Sequence, residues 1–189
     1  MAVINNLQHA QVAPIPVSPA TPVFVDVPGV LSFETTVTTD STATQADGQV
    51  YLTTYAAPEG SFTLSWIDSS FPVLVVINGG VASTTGTGAT KVDRYEQPGA
   101  YVAPGFILSD WNPNVDKGHS PNVAGFRTTL PNATASVASK SSGQDSVHEW
   151  SVDGAFTAIA PAPMFIYEAM ATAPTFSSGV QTVNLTPPS

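Results

Sequence analysis

Hydrophobic and polar residues alternate most cleanly over residues 61–67, with Phe62, Leu64 and Trp66 on one side and Ser61, Thr63 and Ser65 on the other. A period of two is the mark of a strand buried on one face. Residues 49–55 carry Val50, Leu52 and two tyrosines, and Ala56-Ala57-Pro58-Glu59-Gly60 is turn material. The pattern therefore predicts a hairpin over 49–67. Asp68-Ser69-Ser70 then offers a helix cap, with Pro72 in the first turn and Asn78-Gly79-Gly80 as a stop. The body, 73–77, is short and mostly β-branched, so helix and buried strand both stay open there.

The rest of the chain repeats this grammar. Short strands are expected at 23–27, 30–39, 106–110, 125–130, 133–138, 146–152, 156–159 and 164–169. Pro28-Gly29, Asp47-Gly48, Pro98-Gly99, Pro104-Gly105 and Pro131-Asn132 are expected to turn between or beside them. Polar stretches at 38–48, 79–105, 111–122 and 139–145 read as loops or turns. Short strands with Gly/Pro turns and almost no helix signal give an all-β (mainly β) fold, a β-sandwich or partial barrel with one short helix. Pro14, Pro16, Pro19 and Pro22 forbid a helix near the start and favour an extended path. The chain divides into an extended N-terminal arm at 1–22, a single domain at 23–171 and a Pro/Ser/Thr-rich C-terminal arm at 172–189.

Composition sharpens this picture. Charged residues make up 10% of the chain, against about 25% in ordinary globular proteins. Either partners cover the surface, or hydroxyls replace charges on it. The formal net charge is −9, which argues against a sequence-reading DNA binder. All five basic residues (Lys91, Arg94, Lys117, Arg127, Lys140) fall between 91 and 140, while 1–90 and 141–189 hold acids alone. The absence of cysteine excludes disulfides, thiolate metal sites and Cys nucleophiles. No stretch of sequence is apolar enough for membrane insertion, and the first residues lack the basic and apolar regions of a signal peptide. Folding in the cytoplasm is the expectation.

No chemistry-bearing motif stands. The Gly-rich stretch 79–91 lacks the Gly-Lys-Ser/Thr of a phosphate loop, and His148-Glu149 lacks a second histidine at position 152. His9, His119 and His148 are far apart in sequence and lack metal-ligand spacing. A Gly-x-Ser-x-Gly elbow is absent. Asp93 and Glu96 flank Arg94 and read as solvated surface, and the two Asn-x-Thr matches at Asn132 and Asn184 are short patterns. The expectation is a protein that is not an enzyme and needs no cofactor or metal.

The layout resembles a known family. A Pro-rich arm leads to a Val-Pro-Gly turn and then to FETTVTTDSTATQADGQVYLTTYAAPEGSFTLSWIDSSFPVLVVINGG. After a loop come FRTTLPNATASVASKSSGQDSVHEWSVDG and a low-charge tail. This is similar to the major tail tube proteins of long-tailed, non-contractile bacteriophages, over roughly residues 23–166. The most specific blocks are 51–80 and 127–133. The resemblance implies a β-sandwich or partial barrel with a short helix near 68–77. It implies rings, hexameric in the family, whose inner sheets close into a β-barrel, stacked into a virion tail tube that carries DNA. Implied partners are other copies of the chain, a tape-measure protein, tail terminator and distal tail proteins, and DNA in transient passage. Assembly would occur in the host cytoplasm. Family members stack through arms and a long loop, here residues 1–22, the tail from 172, and either 38–48 or 79–105.

A conduit must not bind its cargo, and each Lys or Arg that touches a phosphate adds affinity. The acid-only segments 23–78 and 145–168 are thus expected to supply lumen strands, with Asp26, Glu34, Asp47, Glu59, Glu149 and Asp153 as candidate lumen-facing acids. The alternative is a virion decoration or carbohydrate/cell-surface-binding β-sandwich domain, with which loop aromatics such as Trp111 and Tyr101 are compatible. A glycan hydrolase would need two carboxylates about 5–10 Å apart, and no residue pattern supports one.

Overall fold

The computed structural model describes residues 9–17, 21–46, 49–67, 70–115, 122–141, 148–158, 162–174 and 179–180. The protein is mainly β. In chain order the strands are β1 (His9–Pro14), β2 (Val23–Val27), β3 (Val30–Thr38), β4 (Ser41–Ala46), β5 (Gln49–Tyr55) and β6 (Glu59–Ile67). One helix, α1 (Phe71–Asn78), follows. Then come β7 (Val81–Thr85), β8 (Val92–Glu96), β9 (Phe106–Pro113), β10 (Gly125–Ala135), β11 (Ser139–Ser141), β12 (Glu149–Phe156), β13 (Ile166–Met170) and β14 (Gly179–Val180).

Ten strands form one antiparallel sheet in the order β14-β2-β1-β9-β10-β12-β6-β3. β13 pairs with the first half of β10, and β11 pairs with β12. The sheet bends back over itself. Phe62 on β6 meets Phe106 on β9 edge-on at 6.2 Å, although two strands separate β6 from β9 in the sheet. Between the two halves lies one core, built from alternate residues of β1, β6, β9, β10 and β12 and from Val73, Leu74 and Ile77 of α1. Trp66 and Trp150 are register partners and stack at 6.3 Å.

α1 resolves the ambiguity at 73–77 in favour of a helix. Pro72 sits in its first turn, and Gly79 ends it at φ 72, a left-handed conformation that glycine adopts without strain. Ser70 stands at the N-cap but makes no side-chain capping bond, and Asp68 and Ser69 lie outside the described residues.

Several expectations need correction. Stretches 38–48 and 79–105, expected as loops, hold β4, β7 and β8, and a single strand, β12, runs through 149–156. Residues 49–67 do not form a hairpin with each other. β5 pairs with β4, while β6 pairs with β3 and β12. The 56–58 connection is the junction where a long two-stranded ribbon leaves the sheet, held by Ala56 N donating to Asp40 O at 2.8 Å. Ala46 faces Gln49 across the ribbon, and the expected Asp47-Gly48 turn lies outside the described residues. Residues 9–14, expected within an arm, form a central strand between β2 and β9. Ala10, Gln11, Val12 and Ala13 are all buried, so the run is covered on both faces, and its prolines lie at its end and beyond. Finally, 125–135 is one strand rather than two, with a register shift between Leu130 and Ala133 that accommodates Pro131.

Core and ribbon differ in what they bury, and stability should report it. Leu64→Ala, at a site with no solvent exposure, is expected to cost about 2–5 kcal/mol in urea unfolding. Leu52→Ala, on the exposed ribbon, should change stability by less than about 0.5 kcal/mol. Equal losses would contradict this division.

Candidate functional site

Register partners on neighbouring strands point to the same side of a sheet, and alternate residues point to opposite sides. On β6 the even positions Phe62, Leu64 and Trp66 enter the core, so the odd positions face away. The pairing carries this parity across four strands. Ser32, Ser65, Ser151 and Ser139 form one continuous row over β3, β6, β12 and β11. The next row is Glu34, Thr63 and Asp153, and the one after it is Thr36, Ser61 and Ala155. Glu59 pairs with Thr38 at one end, and Glu149 pairs with Ile67 and Ser141 at the other.

The result is a sheet face of hydroxyls and carboxylates. Ser32 and Ser65 hydroxyls meet at 2.7 Å, and Thr63 donates to Asp153 at 2.8 Å. No described Lys or Arg stands on it. Lys140 has the opposite parity and lies over the Trp150 ring, 5.8 Å from its centroid. Arg127 is nearly buried and bonded to Glu168 on β13, with Nε donating at 2.7 Å. Lys91 and Arg94 sit on the β7–β8 hairpin, paired with Asp93 at 3.0 Å and Glu96 at 2.8 Å. Lys117 lies outside the described residues.

Four of the six acids singled out in sequence, Glu34, Glu59, Glu149 and Asp153, therefore share this face. Asp26 does not. It lies on β2, in the other half of the sheet, where the Gln11 side-chain amide donates to it and His9 Nε2 is 3.5 Å away. Asp47 lies outside the described residues. Sequence reasoning missed the hydroxyl rows. The alternation of Ser61, Thr63 and Ser65 was visible, but strands 90 residues apart had to be paired before Thr63 and Asp153 could meet.

The β3 edge of this face is open, whereas on the other side only the three-residue β11 is, since Gly154–Phe156 of β12 pair with β10. Among the described residues β3 pairs only with β6, and β11 only with β12. Successive antiparallel pairings make β3 run opposite to β11. The far side of the β3 edge borders an apolar groove of about 180 Å³, lined by Val37, Leu130, Phe156, Phe165 and Tyr167 with Thr35 and Thr128.

A second cleft, about 480 Å³, lies between α1 and the β7–β8 hairpin. Phe71 and Pro72 form its apolar side, and Ala82, Ser83, Thr84, Lys91 and Asp93 the other. Phe71 stacks on Tyr95, whose hydroxyl donates to Gly79 O at 2.8 Å and so ties the hairpin to the helix end. Burial raises the Tyr95 pKa above its usual value. Hydrogen bonds from Thr84 and Lys91 hold Asp93 below the usual carboxylate value.

Glu34 and Asp153 are separated by one strand, roughly 10 Å by strand spacing, but both are exposed on an open face, unlike a pair enclosed in a substrate cleft. Among the described residues no group of His, Asp and Glu could hold a metal ion, and no helix is long and apolar enough to cross a membrane. Trp111 and Tyr101 are not free loop aromatics. Trp111 is buried in β9, and the Tyr101 hydroxyl donates to Ala135 O at 2.6 Å.

No protein-family model matches the chain, and no curated protein matches it.

The Asp93 arrangement has a pH signature. A lowered folded-state pKa supplies stability above the unfolded value and loses it as pH falls through the folded one. Thr84→Val removes the largest cause of the lowering. In an NMR titration the Asp93 carboxyl should then move up toward 3.8. An unchanged titration would show that the Thr84 bond is not what holds it.

Proposed function

We propose that this chain is a structural virion subunit that polymerises as stacked rings, hexameric as in the family it resembles, into a phage tail tube, with the β3–β6–β12–β11 face as the channel wall. One observation carries the reading. A sheet face with four carboxylates, rows of hydroxyls and no described Lys or Arg has an open edge at β3 and a short one at β11, and these run in opposite directions, while the rest of β12 continues into β10. Edges of that kind join head-to-tail with antiparallel pairing between copies. A head-to-tail contact makes a ring when its rotation closes, and closure removes the exposed edges. The wall so formed would repel phosphates and offer a passing duplex no cation to hold it.

The low charge of the chain fits the same reading. Some exposed apolar side chains lie where copies would meet: Val37 and Tyr167 beside the β3 edge, and Leu52 and Tyr55 on the ribbon. Tape-measure, terminator and distal tail proteins belong to the proposal as partners, and so does location in the virion tail.

The direct test is electron microscopy of the purified protein over a range of concentrations. Rings with an open channel, or tubes built from them, are expected. Compact monomers at every concentration, also in the presence of preformed tail tips, would overturn the reading. Wall charge has its own test. Assembled wild-type particles should retain no duplex DNA at low salt. The Glu34→Lys, Glu149→Lys, Asp153→Lys variant should bind it, with log affinity falling against log salt by about 0.9 per phosphate engaged. Tight DNA retention by the wild type would contradict a repelling wall.

A further inference from the structure

The cleft between α1 and the β7–β8 hairpin belongs neither to the wall face nor to the sheet edges beside it. β6 turns its odd residues to the wall, whereas α1 packs on the core side through Val73, Leu74 and Ile77. The cleft is also held in shape by its own chain. The Tyr95 hydroxyl donates to Gly79 O at 2.8 Å, and the Gln97 side-chain amide donates to Asn78 O at 3.4 Å, so the base of the hairpin is tied to the end of α1. Gly80 allows the close approach: a Cβ there would stand 2.3 Å from Glu96 O.

A volume of about 480 Å³ falls within the range of small-molecule sites. The two sides of the cleft differ in kind. Phe71, stacked on Tyr95, and the exposed Pro72 make one side apolar. The other side presents the Ser83 and Thr84 hydroxyls, the Lys91 ammonium and the Asp93 carboxylate. Lys91 and Asp93 are 3.0 Å apart, and Thr84 donates to Asp93 at 2.5 Å. An anion drawn to Lys91 would meet the charge of Asp93, and a cation drawn to Asp93 would meet Lys91. A wholly apolar guest would strip water from both charges. The complement is a neutral molecule with one apolar face and many hydroxyls, because a hydroxyl both donates to a carboxylate and accepts from an ammonium. A pyranose has this form, with C–H bonds on its flat face and hydroxyls on its rim.

We propose that the α1/β7–β8 cleft is a saccharide site for a neutral pyranose, with the C–H face of the sugar on Phe71 and Pro72 and its hydroxyls on Ser83, Lys91 and Asp93. The charged pair is half exposed, so a single cleft binds weakly, with a dissociation constant on the order of 1 mM. On the ring reading, identical clefts repeat along the tube and weak contacts to one polysaccharide add; the site itself does not need that reading.

Saturation-transfer NMR tests the site on the full chain, since it observes the sugar and tolerates particles of any size. The probes are the methyl pyranosides of glucose, galactose, mannose and N-acetylglucosamine, with glucuronate and glucosamine as charged counterparts. At least one neutral pyranoside should give a signal, strongest at the C–H protons of one ring face, and should bind more tightly than either charged sugar. Asp93→Ala is expected to weaken that binding roughly tenfold. Val102→Ser, at an exposed position outside the cleft, is expected to leave it unchanged. Near-UV circular dichroism checks that both variants fold. Silence from every neutral pyranoside, equal binding by wild type and Asp93→Ala, or tighter binding of glucuronate or glucosamine would each overturn the assignment. Each of these results leaves the ring reading to be decided by microscopy.

Discussion

Everything distinctive about this protein depends on the register of β6 between β3 and β12. The side-chain period of a strand is two, so a slip of one residue would turn Phe62, Leu64 and Trp66 outward and bring Ser61, Thr63 and Ser65 into the core. Large groups pin the register from the buried side. Trp66 lies opposite Trp150, Leu64 opposite Val152, and Gly60 opposite Phe156. The glycines belong to the same lock. A Cβ at Gly60 would stand 2.3 Å from the Phe156 ring, and one at Gly154 equally close to Phe62. With the core side fixed, the outward row of serines and the Glu34–Thr63–Asp153 row follow without further instruction.

The local half of this was legible in the sequence. Alternation over 61–67, the stop at Gly79 and the β-rich class all rest on residues near one another. What could not be read was pairing at a distance. Glycine and proline at 56–60 look the same whether they close a hairpin or mark the point where a ribbon leaves its sheet. Likewise, prolines after position 13 suggested an arm, because nothing local tells that Ala10 and Val12 are wanted between β2 and β9. The acids illustrate both sides. Parity within each strand was visible, but only long-range pairing brings Glu34 and Asp153 to one face and leaves Asp26 with Gln11 and His9 on the other half of the sheet.

Charge placement gives the account its functional direction. The described cations are each drawn off the hydroxyl and carboxylate face: Arg127 into a bond with Glu168, Lys140 over Trp150, Lys91 and Arg94 onto a hairpin with their own acids. A protein with few charges has thus kept four carboxylates on one side of one sheet and no described Lys or Arg beside them. A wall that something polyanionic must slide past would spread carboxylates over an open surface with hydroxyls between, as here.

The central claim is that this face looks into a channel, and a cryo-electron microscopy map of the assembled particle tests it most directly. The account predicts that Glu34, Thr63, Ser65 and Asp153 border the lumen, with β3 of one copy beside β11 of the next. A map with these residues on the outer surface, or with Lys and Arg side chains lining the channel, would contradict it.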